Sequence, residues 1–172
     1  MRRLVVVRHA KAQRTSARGD HGRELAPRGR AQATALRRWT EDGGPLAEVR
    51  GTVVVSDSAR TLETFELALA GTPVCVRAVV DPTLYNGVRD VDTAGALRSL
   101  AAADPGEGDL VVVGHNPTVV YLVADLADDP HAADRALGDG FPMCGVVILA
   151  FEGDAPAPRR CELGFFGAPP AD

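Results

Sequence analysis

Three stretches of this chain are valine runs without alternation: "RRLVVVR" near the start, "GTVVV" in the middle and "DLVVVG" further on. A strand with one wet face alternates apolar and polar residues. A strand covered on both faces does not, and such strands belong to largely parallel sheets with helices above and below. Leu4 to Val7 and Leu110 to Val113 therefore read as strands covered on both faces, with Thr52 to Val55 and Val74 to Val80 similar but more mixed.

The intervals hold helices of crossover length. After Pro27, "PRGRAQATALRRW" repeats small or apolar residues at Ala31, Ala35 and Trp39, with Ala26 as a poor residue at the cap position. A second helix is expected near Ser58, through Thr61 to Leu69, stopping at Gly71 before Pro73. A third covers Val91 to Ala102. Asn116 is placed to cap a fourth, with Pro117 at its first position, and "HAADRAL" reads as a short fifth. The final runs "CGVVILAFEG" and "RRCELGFF" are close enough to pair antiparallel. The expected fold is a three-layer α/β/α sandwich around a mostly parallel mixed sheet. Residues 1–167 are read as one domain and 168–172 as a frayed tail, since 172 residues suffice for one buried core.

A net charge of −4 argues against a nucleic-acid binder, whose backbone contacts favour a basic face. No apolar run reaches the roughly 18 to 20 residues that cross a bilayer. Cys75, Cys144 and Cys161 lack CxxC spacing and read as buried thiols of a reducing compartment. Cytoplasmic location, a monomer and no membrane partner are the expectations.

In parallel sheets ligands collect beyond the carboxyl ends of the strands. His9 follows the first valine run, Ser56 to Arg60 the second, and His115 the later one. If those strands are neighbours, all three segments open on one edge. Arg8 and Arg60 can then clamp a phosphoryl group through bidentate, charge-assisted hydrogen bonds. One neutral imidazole can attack phosphorus while the other stabilises its charge. Asn116 and the following helix start can add backbone donors. Each residue has a plainer use: Arg8 can anchor a carboxylate, and His115 can bond across a turn. His9, His21, His115 and His131 lack HExxH spacing, and the glycines form neither a Walker loop nor GxGxxG, so neither metal nor nucleotide cofactor is expected.

The ordered set "RHAK", "PRG", "SDSARTLET" and "GHNP" resembles the histidine phosphatase superfamily, especially its compact SixA-type phosphohistidine phosphatases. The resemblance runs through "VVVRHAKAQ", "ELAPRGRAQA", "TLYNG" and "DLVVVGHNPTVVYLVADL", most of the chain. It implies that His9 is the nucleophile, that Arg8 and Arg60 bind the transferring phosphoryl group, and that His115 is the second active-site histidine. It further implies that Ser56 supports its loop and that Asn116 shapes the floor around His115. Larger members protonate an oxygen leaving group with a loop Glu. The corresponding stretch here reads Leu84, Tyr85, Asn86 and Gly87, without a carboxylate. Asp20 is the better candidate for a rim acid or base, with Asp57 second, and either can simply face solvent. Lys11 adds field at the entrance or faces water.

That missing acid bears on the substrate. An alkoxide needs protonation to leave, whereas phosphohistidine releases an imidazole through a labile P–N bond. The chain also shows no large inserted cap. The expected activity is metal-independent dephosphorylation of a phosphohistidine-bearing protein through a covalent intermediate on His9. A small-molecule phosphomonoesterase is the alternative within the same chemistry, a mutase a more distant one. A non-catalytic phosphate-binding or protein-interaction domain is the alternative outside it.

Overall fold

The computed structural model describes residues 1–88 and 90–170. Its strands are β1 (Arg2–Arg8), β2 (Gly51–Val55), β3 (Cys75–Val80), β4 (Asp109–Gly114), β5 (Val146–Phe151) and β6 (Glu162–Gly167). Its helices are α1 (Pro27–Glu41), α2 (Ala59–Ala68), α3 (Thr93–Ala103), α4 (Thr118–Leu126) and α5 (Pro130–Leu137), with a 3-10 segment at Pro82–Val88.

The strands form one mixed sheet in the order β3-β2-β4-β1-β5-β6. The three valine strands are its adjacent centre and run parallel: Val7 pairs with Val113, and Val113 with Val55. The expected α/β/α sandwich is what forms. Alternate residues of one strand serve opposite cores. Val5 and Val7 pack with Ala33 and Leu36 of α1 and Phe65 of α2. Leu4 and Val6 pack with Leu100 of α3 and Leu122 of α4 on the other face. All four strand side chains are fully buried, each stabilising the fold by roughly 1.5–3 kcal/mol before conformational entropy is counted. Replacing any of them with a charged residue would leave that charge unpaired between sheet and helix.

β5 and β6 close the far side antiparallel, as expected from their short separation. The fourth run differs in degree. It starts at Cys75 as the β3 edge strand, where among the described residues no further strand pairs beyond it, and Val76 and Val80 are largely exposed.

Helix starts show where local signals compete. α1 begins at Pro27 with no side-chain cap from Ala26. α3 starts at Thr93 rather than Val91, because the Asp92 carboxylate accepts the Gly95 N–H at 2.7 Å and sets the cap there. The expected Asn116 cap does not form. The Val119 N–H already donates to the His115 carbonyl at 3.0 Å, so Pro117 takes the cap position and the helix starts at Thr118. The Asn116 side-chain oxygen is buried without a hydrogen-bond partner among the described residues. At the carboxyl end, Ala168 to Pro170 line a groove beside α1, while residues 171 and 172 of the expected frayed tail lie outside the described residues.

Gly29 shows how closely α1 meets the sheet edge. A Cβ there would lie 2.0 Å from the Lys11 carbonyl oxygen, so only glycine lets the helix rest on the backbone two residues beyond His9. Two further bonds fasten the same stretch. The Lys11 N–H donates to Gln32 Oε1 at 3.0 Å, and its carbonyl accepts the Ala26 N–H at 2.8 Å.

Candidate active site

Parallel register brings the ends of the three valine strands level. Arg8 pairs with Gly114, the His9 N–H donates to the Gly114 carbonyl at 3.1 Å, and the Ser56 N–H donates to the Val113 carbonyl at 3.2 Å. Beyond that edge lies a cavity of about 210 Å³ lined by Arg8, His9, Lys11, Ala12, Arg23, Arg60, His115, Asn116 and Met143. Residues more than a hundred positions apart thus share one pocket.

His9 is buried, and its Nδ1 lies 2.8 Å from the Ala10 carbonyl oxygen. A carbonyl can only accept, so Nδ1 carries the proton and Nε2 keeps its lone pair. Burial, opposed by that carbonyl bond and reinforced by the charges of Arg60 and Arg8, lowers the His9 pKa from 6.5 to about 4. Above that pH the imidazole is neutral, the form that can act as a nucleophile.

The His115 ring centroid is 5.2 Å from that of His9. His115 Nε2 lies 2.9 Å from the buried Ser56 hydroxyl oxygen, which places Ser56 behind the ring as a positioning group. Burial, followed by the fields of His9 and Arg60, lowers the His115 pKa to about 2. Its Nδ1 is buried without a hydrogen-bond partner among the described residues.

Arg60 is only 1% exposed and comes from the first turn of α2. Its Nη1 donates to the Asp20 carbonyl at 2.8 Å and its Nη2 to the Asp20 carboxylate at 3.1 Å. Arg8 donates from Nη1 to the Phe141 carbonyl, and its burial lowers its pKa. Each guanidinium keeps a buried Nε that finds no hydrogen-bond partner among the described residues. Buried donors without acceptors are costly, commonly about 1–3 kcal/mol each. A tetrahedral oxyanion in the pocket can supply acceptors to them.

Asp20 is tied rather than poised. One carboxylate oxygen accepts from Arg60 and from the Tyr85 hydroxyl at 2.9 Å, and the other accepts from Arg23 at 2.9 Å. Partial burial pushes its pKa up, but the Tyr85 bond and the Arg60 and Arg23 charges outweigh it, and the net shift is downward. The group is a carboxylate with no proton to give at neutral pH. Asp57 stands 3.0 Å from His21 Nε2, outside the residues lining the pocket. Lys11 and Asn116 line it.

Two contributors escaped the sequence reading. Arg23 adds a third guanidinium to the lining. Tyr85 sets its ring edge-on to His115 at 5.8 Å and lies 5.9 Å from the Arg60 guanidinium carbon, so it joins Asp20 to the wall formed by His115 and Arg60. The signal for Arg23 was its three-residue spacing from Asp20. Tyr85 lay in the "TLYNG" stretch, which stood out in the sequence only for its lack of a carboxylate.

This lining suits an anion. Three arginines and a lysine around neutral imidazoles concentrate positive potential in a chain of net charge −4. They would repel a cation, and among the described residues no group of three His, Cys, Asp or Glu side chains is arranged to hold a metal ion. Nor is any described helix long and apolar enough to cross a membrane.

Comparison with known proteins agrees. The sequence model of the histidine phosphatase superfamily (branch 1) matches residues 4–86, which contain Arg8, His9 and Arg60. A Mycobacterium tuberculosis protein, Rv1276c, is 28% identical over 151 residues, covering 86% of this chain and 88% of its own. The structure of a candidate phosphohistidine phosphatase SixA from Nakamurella multipartitia superposes with a TM-score of 0.79 at 28% identity, covering 99% of this chain and 97% of its own. A second candidate SixA, from Agrobacterium tumefaciens, shares the fold with a TM-score of 0.77 at 24% identity, over 98% and 99% of the two chains. In its valine-strand sheet and in the sequence around Arg8, His9 and Arg60, the chain matches the histidine phosphatase superfamily and is similar to its compact SixA-like structures.

Proposed function

We propose that the protein hydrolyses phosphohistidine on a protein substrate through a covalent intermediate on His9. The observation that carries this reading is the His9 tautomer. The Ala10 carbonyl holds the proton on Nδ1, leaving a neutral Nε2 as nucleophile in a pocket lined by Arg8, Arg60 and His115.

In the first step the Nε2 lone pair forms a bond to phosphorus as the P–N bond to the leaving imidazole breaks. That imidazole takes the bonding pair and a proton from solvent, and leaves as neutral histidine of the substrate. Arg8, Arg60 and His115 balance charge on the phosphoryl oxygens. His9 now bears the phosphoryl group on Nε2 and a proton on Nδ1. In the second step water attacks phosphorus, the P–Nε2 bond breaks, and its electron pair returns to His9. Inorganic phosphate departs, and the lost water proton passes to solvent or phosphate. No step needs a metal. Ser56 orients His115, Asn116 and Lys11 contribute to the pocket wall, and Asp20 positions Arg60.

The held carboxylate of Asp20 favours a substrate whose leaving group needs little help. Phosphohistidine meets that requirement better than an unactivated phosphate ester. Similarity to the Nakamurella protein, a candidate phosphohistidine phosphatase, supports the same class.

The test is a matched panel of phosphohistidine protein, phosphoserine peptide and small phosphate esters, with His9→Ala as control. Phosphohistidine should turn over fastest, and His9→Ala should abolish both turnover and trapping of labelled phosphate on the protein. Preference for small esters would assign a phosphomonoesterase instead. Phosphate-dependent binding without release would assign a binding domain. Labelling that survives in His9→Ala would remove His9 from the nucleophile's role.

A further inference from the structure

A second cavity adjoins the phosphoryl pocket. It measures about 580 Å³ against about 210 Å³, and the two share Lys11 and Met143 in their walls. One side is the face of α1 bearing Arg28, Ala31 and Ala35, which recur at helical spacing, and the opposite side includes Met143 and Pro169. The small alanine side chains leave room above the helix. The groove is tied to the site, since Gln32 on this face accepts the Lys11 backbone N–H at 3.0 Å.

The size difference matters for a protein substrate. A phosphoryl group and its imidazole can occupy the smaller cavity, while the chain carrying them must pass over its rim. The larger groove begins at that rim, and its charged lining residues, Lys11 and Arg28, are both cationic. A neutral or basic chain would gain nothing from that pair, whereas an acidic side chain can bridge to it.

We infer that this groove is the docking site for the polypeptide flanking the phosphohistidine, and that it selects a flank carrying an acidic side chain. The inference rests on the proposed phosphohistidine activity and names the substrate feature that activity would read. Lys11 serves both cavities, so an acidic flank and the phosphoryl group are held in one register. The apolar part of the flank lies along Ala31, Ala35 and Met143.

The experiment uses the full chain with three substrates: phosphoimidazole, a phosphohistidine peptide with acidic flanks, and the same peptide with neutral flanks. Three groove variants, Arg28→Glu, Arg28→Lys and Ala31→Trp, act on exposed positions of α1 away from the pocket lining. The wild type should prefer the acidic-flanked peptide over the neutral one by about five- to tenfold in kcat/KM, chiefly through KM. Arg28→Glu should erase that preference, Arg28→Lys should keep most of it, and Ala31→Trp should lower kcat/KM for both peptides. Phosphoimidazole should be hydrolysed equally by all four proteins. Equal treatment of the two peptides by the wild type, or an Arg28→Glu protein that retains the preference, would overturn the inference. If no substrate is hydrolysed, the phosphatase reading has failed instead. The groove is then judged by titrating the unphosphorylated acidic peptide, where binding weakened by Arg28→Glu supports it and absence of binding rejects it.

Discussion

Acidification should leave His9, the proposed nucleophile, neutral while it weakens the fold, because one buried imidazole controls both. Burial and the neighbouring arginines lower the His9 pKa from 6.5 to about 4. At pH 5 an imidazole of pKa 4 is about 90% neutral, whereas one at the ordinary value is only about 3% neutral, a contrast of about thirtyfold in available nucleophile. Stability moves the opposite way. Between pH 6.5 and 4 the unfolded chain binds a proton at this residue that the native state refuses, so acid favours unfolding. Integrating from neutral pH down to pH 5 gives about 2 kcal/mol of lost stability from His9, the protonation difference over about 1.5 pH units. His115, lowered to about 2, adds a loss of the same sign. Proton NMR titration of the His9 ring, assigned by comparison with His9→Gln, reads the pKa. Urea unfolding at pH 7 and pH 5 reads the stability, where His9→Gln should lose about 2 kcal/mol less than wild type on acidification. A His9 ring that titrates near 6.5, or a His9→Gln protein as acid-sensitive as wild type, would refute the reasoning.

The same electrostatics predict that saturating vanadate raises the His9 pKa, since an anion beside the ring favours its charged form; a fixed or lowered NMR midpoint would contradict this. Gly29→Ala should destabilise the protein by about 1–3 kcal/mol and lower activity, because its Cβ must push α1 off the Lys11 carbonyl; chemical denaturation and kcat/KM measure the two effects. Asp20→Asn should weaken phosphate and vanadate inhibition by about tenfold through a loosened Arg60. Its rate loss should be similar for phosphate esters with good and poor leaving groups. A loss that grows steeply for poor leaving groups would make Asp20 the proton donor instead.

Much of the layer structure was legible because it depends on local pattern. Uninterrupted valine runs announce strands covered on both faces, and the central strands of the sheet are those runs. Helix existence was equally plain, but helix starts were not. Asp92 outcompeted an apolar residue for the α3 cap, and the turn at His115 displaced Asn116 from the α4 cap. Such choices are settled by hydrogen bonds a residue or two away, which residue type alone does not rank.

The sequence by itself determined which chemistry was available: two histidines and two arginines placed just after strands, and no carboxylate in the "TLYNG" stretch. Only the tertiary structure decided how those groups are used. Parallel register set Arg8, Ser56 and His115 level at one edge, burial kept the imidazoles neutral, and the Ala10 carbonyl chose the tautomer of His9. It also turned Asp20 into a tether for Arg60 through Tyr85 and Arg23, and opened a basic groove beside the pocket. The physical reason is that protonation state and hydrogen-bond partners depend on distance and dielectric surroundings, and these exist only once residues far apart in the chain have packed together.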